Sequence, residues 1–482
     1  MSVDPNFSEQ IAEEWTGRPH TARPLAIGAA AALLALLPLL WIRDFTVDDA
    51  LITARVAAHL HAGLGYRFNA TGPPVDAVTP LGWAYVLLPF AGGGPLAALS
   101  AARWMGALCW LAAAGWLGAE VARLRGSPLR LSPLLVLAVC APLAAWSVAG
   151  METGVVVALA TLALVRSPWA VLPAGLAAAW RPELLPWALV LVVGTGLAAR
   201  RSIQRVFGLA ALVLLPALIV AVSRELAFGH PAPLAVFAKP SDLSHGLRYA
   251  WGALAFTGPP LLLVAPWSLR RIGGHERAIA TAGAVHVVSL LLAGGDWMAL
   301  YRLMVPVLPG LLLVGAAIAA VARPWATAIR LFAALGVSLV VLFAIGRVAR
   351  RVGPNRMALI EAAAAPLAGG RHVASLDVGW VGAATRAEVE DLAGVTDARV
   401  AVLPGGHTTK RIPDGWLEAR HVDRLVLLLA PGAEPALPWW QSRFDRDVEQ
   451  RVARQAGDRY RVLTRIPLGG TRQSYLILRL IN

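Results

Sequence analysis

The chain predicts an α-helical polytopic membrane protein of about eleven spans, followed by a C-terminal soluble α/β domain. Three observations carry that expectation. Of 482 residues, 57% are hydrophobic and 15% charged, where a soluble domain has about 25% charged. Apolar runs near bilayer-crossing length recur from residue 24 to residue 346. From about residue 352 charge rises, and short β-type runs alternate with helical stretches.

The first apolar run, 24–42, follows the polar segment 1–23 and lacks a small-residue cleavage site, so it reads as a retained span. Further runs fall at 97–122, 131–149, 152–166, 168–180, 183–199, 206–223, 249–268, 278–293, 301–321 and 326–346. The run 80–91 is brief enough for a short span or a half-inserted helix. Arginines set the orientation. Arg18 and Arg23 flank the first run, and three loops hold Arg123, Arg125 and Arg130; Arg200, Arg201 and Arg205; and Arg270, Arg271 and Arg277. With the N-terminus inside, all these loops are cytoplasmic. The domains expected are a cytoplasmic segment 1–23, a membrane module 24–350 with outer loops 44–79 and 224–248, and an extracytoplasmic domain 351–482. Arg347, Arg350, Arg351 and Arg356 open that last region against the rule, although long domains translocate largely regardless of charge. The net charge of +14 is almost wholly arginine, since Lys239 and Lys410 are the only lysines. Arginines placed between apolar runs mark topology and give no reason to expect nucleic acid.

The same count sends Asp44, Asp48, Asp49, Asp76, Glu152, Glu183, Asp242 and Asp296 to the opposite face. Charges are costly inside hydrocarbon, so acids gathered at one face point to a water-filled site. Asp48 and Asp49 leave the membrane directly after the first run. Such a pair suits a general base, one carboxylate accepting a proton while the other orients the substrate or helps hold a cation. Helix capping accounts for the pair equally well. Leu51, Ile52, Arg55, Val56, His59 and Leu60 follow in the pattern of an amphipathic helix lying in the interface, ended by Gly63-Leu64-Gly65. Arg181, in Trp180-Arg181-Pro182-Glu183, can grip a phosphate or merely tether helices through Glu152 or Glu183. Asp296 and Arg302 bracket tight turns and Trp297, an aromatic equally suited to anchoring at the interface. His230 and Lys239 are placed to meet an anionic group, though a loop lysine is ordinarily just solvated. Cys109 and Cys140 sit in apolar runs and suggest neither a disulfide framework nor a zinc site.

No motif for nucleotide use, acyl transfer or zinc hydrolysis falls in a useful context. An acid pair with arginines and a lysine suits transfer from a phosphate leaving group, the donor being pre-activated and carried on a lipid. In the C-terminal region strands are expected at 372–376, 399–403, 425–429, 460–466 and 474–480, with helices at 387–392 and 444–455.

In this order the motifs resemble the bacterial GT-C superfamily of polyprenyl-phosphate-dependent glycosyltransferases, nearest the group of the mycobacterial terminal arabinofuranosyltransferase. The resemblance rests on Asp48-Asp49-Ala50, Gly63-Leu64-Gly65-Tyr66-Arg67-Phe68-Asn69, Thr79-Pro80-Leu81-Gly82-Trp83 and Gly150-Met151-Glu152-Thr153. It continues through Arg181-Pro182-Glu183, Phe237-Ala238-Lys239, Gly294-Gly295-Asp296-Trp297-Met298 with Tyr301-Arg302, Asp377-Val378-Gly379 and residues 391–397. It implies a GT-C-like bundle in a bacterial cytoplasmic membrane. The donor would be a polyprenyl-phosphate sugar, and the acceptor a cell-envelope glycan, glycolipid or protein. Asp48 or Asp49 would be the base of an inverting transfer, Arg181, Lys239 and Arg302 donor-phosphate ligands, and Glu152 and Asp296 would shape the pocket. A divalent cation is left open; a nucleotide cofactor is not expected. Pro233-Leu234-Ala235 departs from the Pro-Asn-Thr usual before the aromatic-Ala-Lys element, which leaves the sugar open. A transporter or flippase of lipid-linked saccharides is the alternative, though it should carry charges along its crossing path. A non-catalytic assembly protein is a third.

Overall fold

The computed structural model describes residues 22–239, 241–296 and 298–481. The first run forms α1 (Ala22–Ile42), and the acid pair opens α2 (Asp48–His61). A short α3 (Trp83–Leu87) passes into one 3-10 turn, so residues 80–91 make a broken stub well short of a span. α4 (Pro95–Arg123) then runs back along α1. A Cβ on Gly28 would lie 2.6 Å from the Gly115 carbonyl oxygen, so only glycine permits this backbone approach, as is common between membrane helices.

The next apolar runs are cut short. A 3-10 stretch Pro128–Val139 meets α5 (Ala141–Val148) at a 53° bend, and α6 (Thr153–Leu162), α7 (Val171–Trp180) and α8 (Leu185–Ala198) follow. α9 (Ile203–Phe228) is mostly exposed along an apolar surface, as befits lipid. After α10 (Leu234–Ala238), α11 (Leu243–Phe256) and α12 (Gly274–Leu292), a 3-10 segment Ala299–Val307 feeds α13 (Leu308–Val321), buried along its length except at its last residue, Val321. α14 (Pro324–Leu367) closes the bundle with 44 residues.

Among the described residues five helices are long and apolar enough to cross a membrane, six if the bent pair counts as one span. That corrects the expected eleven. The apolar runs are there, but Pro133, Pro142, Pro168, Pro182, Pro259, Pro260 and Pro266 interrupt them or start new helices. Each proline removes a backbone donor and clashes with the preceding turn, so apolar length does not become helix length.

α14 rises about 66 Å at 1.5 Å per residue, roughly twice the hydrocarbon thickness. Its second half carries the arginines that conflicted with the charge rule. Arg350 stacks over Trp41 at 4.8 Å and Arg356 pairs with Asp48 at 3.5 Å. These arginines are docking contacts as well as charges.

The C-terminal region holds a five-stranded sheet in the order β2-β1-β3-β5-β4, made of β1 (His372–Ser375), β2 (Glu388–Asp391), β3 (Arg424–Leu428), β4 (Tyr460–Pro467) and β5 (Ser474–Leu480). β1 pairs in parallel with β2 and β3, whereas β5 runs antiparallel to β3 and β4. Helices α15 (Val378–Ala384), α16 (Ala398–Ala401), α17 (Trp416–Ala419) and α18 (Asp447–Ala456) connect them. Two expectations exchange places here. Strand β2 (Glu388–Asp391) stands where a helix was expected over 387–392, and α16 (Ala398–Ala401) stands where a strand was expected over 399–403, begun by Asp397, whose side chain accepts from the Arg399 and Val400 amides. The cap outweighs the β-branched bias of that stretch.

α2 has the expected extent but a different setting. Residues Ala50–Ala57 are buried on every side, because α15 packs on the face that an interfacial helix would show to solvent. Arg55 fixes the contact by donating to the carbonyls of Phe68 (2.9 Å), Thr385 (3.1 Å), Ala387 (2.8 Å) and Gly382. Asn69 pairs with the edge of β2, donating to the Val389 carbonyl at 3.0 Å and accepting from its amide at 2.9 Å.

Candidate functional site

The two acids of α2 diverge. Asp48 turns toward the C-terminal domain, where its carboxylate accepts from the amides of Gly379 (2.7 Å) and Trp380 (2.9 Å). It is thus a cap, but for α15 rather than its own helix, which begins after Val47 without a side-chain cap. The approach is tight: a Cβ on Gly379 would fall 2.1 Å from the Asp48 carbonyl oxygen, so glycine is required there. Burial pushes the Asp48 carboxyl up to about 6, while Arg356 lowers it and Asp377 raises it further. Asp377 is itself held below the usual carboxylate range: burial opposes ionisation, but Arg446 and Arg356 outweigh it. Tyr475 donates to Asp377 at 2.7 Å and Arg446 pairs with it at 3.0 Å, completing a buried network under the sheet.

Asp49, one residue on, is half-buried and makes no hydrogen bond or close ion pair among the described residues. Its charge acts on Arg302, as do those of Asp296, Glu152 and Glu183. Arg302 is therefore the hub where these acids meet. It pairs with Asp296 at 2.8 Å, lies 5.8 Å over the Trp146 ring and points Nη1 at the Met151 sulfur. Behind it Arg181 pairs with Glu152 at 3.1 Å and Glu183 at 2.8 Å, all three largely buried. The 3-10 segment presenting Arg302 is strained, since Leu300 and Tyr301 both take left-handed backbone angles. Such strain costs about 1–3 kcal/mol per residue and persists where surrounding packing dictates it, commonly at functional sites.

Several buried polar atoms in this cluster have no hydrogen-bond partner among the described residues: Glu152 Oε2, Thr153 Oγ1, Arg181 Nη2 and Arg302 Nε. Native interiors rarely leave such atoms unpaired, and a group of them marks a place for water or a ligand. Chemically the cluster offers carboxylate acceptors for hydroxyls, guanidinium donors for an anion, and one unengaged carboxylate at its rim.

Lys239 approaches from the loop between α10 and α11, and its charge and that of Asp296 both act on His407. His407 belongs to the C-terminal domain. Burial, with Lys239 beside it, lowers that imidazole to about 3, so it is neutral at physiological pH. His230 is engaged elsewhere: Nδ1 meets the Ala232 carbonyl at 2.7 Å and the ring lies against Phe228 and Phe237. Two of the converging acids are structural. Asp76 pairs with Arg224 at 2.8 Å, and Asp242 caps α11 through the Ser244 and His245 amides. Trp297 lies outside the described residues, as do Arg18 and segment 1–21. No group of three or more His, Cys, Asp or Glu is placed to hold a metal among the described residues.

Sequence reasoning missed four contributors. Tyr249 accepts from the Leu303 amide at 3.1 Å, and His286 meets the Leu303 carbonyl at 2.8 Å, so both brace the Arg302 segment. His286, an ionisable group within an apolar run, carried a readable signal. Trp146, bonded to the Leu300 carbonyl at 3.2 Å, and His407 carried none. Comparison of the chain with protein-family models, curated proteins and solved structures returns no match.

Proposed function

We propose that the protein is a GT-C-type membrane glycosyltransferase, moving a sugar from a polyprenyl-phosphate donor to a cell-envelope glycan, glycolipid or protein. Its site would face the extracytoplasmic side of the cytoplasmic membrane, under the C-terminal domain. The observation that carries this reading is the buried cluster around Arg302, with under-satisfied acceptors and donors together and Asp49 unengaged at its edge.

In this reading Asp49 is the base. It takes the proton of the acceptor hydroxyl as that oxygen bonds to the anomeric carbon. The bond from that carbon to the phosphate oxygen breaks, and the lipid phosphate leaves with the electron pair. Arg302 and Lys239 stabilise the charge on the leaving phosphate, a contribution of the kind worth about 10²–10³ in rate. Glu152, with a spare oxygen, accepts from sugar hydroxyls, and Arg181 holds Glu152 in place. Asp48 serves the interface between bundle and domain instead of the chemistry.

The test is transfer from a panel of radiolabelled polyprenyl-phosphate sugars by the purified protein, with Asp49→Asn and Asp48→Asn compared. Loss of transfer in Asp49→Asn, with folding and donor binding intact, supports the assignment. Donor binding without turnover across a broad acceptor panel would favour the saccharide transporter. Full transfer by both variants rejects the aspartate base.

A further inference from the structure

A cavity lies at the end of the bundle away from the Arg302 cluster. α12 separates the two regions: Glu276 sits in its first turn and Asp296 follows its end, about 28 Å away along 19 residues. This cavity, of 810 Å³, lies among α4, the end of α6, the start of α12 and α13. Arg123, Arg125, Arg166 and Arg271 line it, against Glu120 and Glu276. The glutamates are already matched, Glu120 by Arg123 and Glu276 by Arg166. Arg125 and Arg271 remain, exposed and without a hydrogen bond or ion pair among the described residues. A smaller cavity of 310 Å³ adjoins it, sharing Arg166, His275 and Glu276.

The wall below the charges is apolar. Leu313, Ala317 and Val321 of α13 form one side and Trp116 of α4 another. Val321 and Trp116 are 45% and 41% exposed, so the cavity opens sideways onto surface of the same character as the rest of the bundle. Cationic groups above an apolar wall match a phosphate headgroup above its acyl chain, and basic pockets between membrane helices bind such headgroups. A free phosphate would use the arginines and leave the wall unused.

We propose that this cavity binds the phosphate of an anionic phospholipid, held chiefly by Arg125 and Arg271, while the Arg123–Glu120 and Arg166–Glu276 pairs maintain its walls. The site is independent of the glycosyl-transfer reading, since it shares no residue with the Arg302 cluster.

The full chain would be reconstituted in nanodiscs containing phosphatidylglycerol and phosphatidylcholine, and lipid retained after re-extraction measured by native mass spectrometry. Phosphatidylglycerol retained over phosphatidylcholine is expected. Arg125→Gln/Arg271→Gln should weaken retention about 25-fold, at roughly fivefold per arginine. Arg200→Gln, outside both cavities, should change nothing. Equal retention of the two lipids, or no effect of the double substitution in a folded protein, overturns the proposal. A third arm adds inorganic phosphate: displacement of phosphatidylglycerol at low millimolar phosphate would reassign the cavity to a soluble anion and overturn the lipid assignment.

Discussion

Replacing Asp48 with alanine should loosen the C-terminal domain from the bundle, and its cost follows from the contacts. The carboxylate accepts from two amides, at 2.7 and 2.9 Å, and pairs with Arg356 at 3.5 Å. Its side chain is 16% exposed, so little water stands ready to replace it. Each buried donor left unmade costs about 1–3 kcal/mol, and the three together suggest a loss of roughly 3–5 kcal/mol. That is a large part of the ~5–15 kcal/mol that holds a typical fold. Asn at 48 keeps one acceptor and turns its amide group toward the second donor, so about half the loss is expected. Denaturant unfolding in detergent, followed by tryptophan fluorescence and by limited proteolysis, reads the effect. Asp49→Asn is the internal control, since Asp49 makes no hydrogen bond or close ion pair among the described residues. It should unfold as the parent does while losing about 10²–10⁴ in transfer rate. An Asp48→Ala protein with an unchanged midpoint and unchanged protease resistance would refute the clamp. If it also lost transfer, Asp48 rather than Asp49 would be the base.

Arg302→Lys keeps a charge beside Asp296 but loses the planar fork, and is expected to lower transfer by about 10²–10³ in steady-state assays of the proposed reaction. Arg55→Met leaves the carbonyls of Phe68, Gly382, Thr385 and Ala387 without their donor, and should lower the unfolding midpoint by about 2–4 kcal/mol equivalent. Glu449, deep in the C-terminal domain, is pushed up to about 8 by burial, against the pull of Arg446. Because its folded value lies above the unfolded one, its contribution is complete at acid pH and is lost as pH rises through 8. Thermal melts between pH 6.5 and 9 should therefore decline more steeply in the parent than in Glu449→Gln, and parallel profiles would contradict the buried neutral carboxyl.

Much of the site was legible because charge in an apolar chain is conspicuous. Glu152, Arg181, Glu183, Asp296 and Arg302 each stand at the end of an apolar run, and the cost of burying them unpaired forces such groups together. The supporting side chains were not legible. Trp146 and Tyr249 look like any aromatic of a membrane helix until the strained turn at Leu300 and Tyr301 brings the Arg302 segment against them. Span count failed for a related reason. Hydropathy registers apolar length, whereas prolines at 133, 142, 168 and 182 decide where the backbone hydrogen bonds stop.

By itself, the sequence determined that this is a helical, membrane-associated chain with a mixed α/β C-terminal region, because composition and hydrophobic period are local properties. It also set the acids and arginines at the ends of the runs. Only the tertiary structure decided what each does. Asp48 and Asp49 are adjacent and chemically identical, yet successive helical positions point about 100° apart. One meets the N-terminus of a helix some 330 residues away and becomes a clamp; the other makes no hydrogen bond or close ion pair among the described residues, and its charge acts on Arg302. That division depends on the docking of α15 against α2, a long-range packing event that no local pattern in the chain encodes.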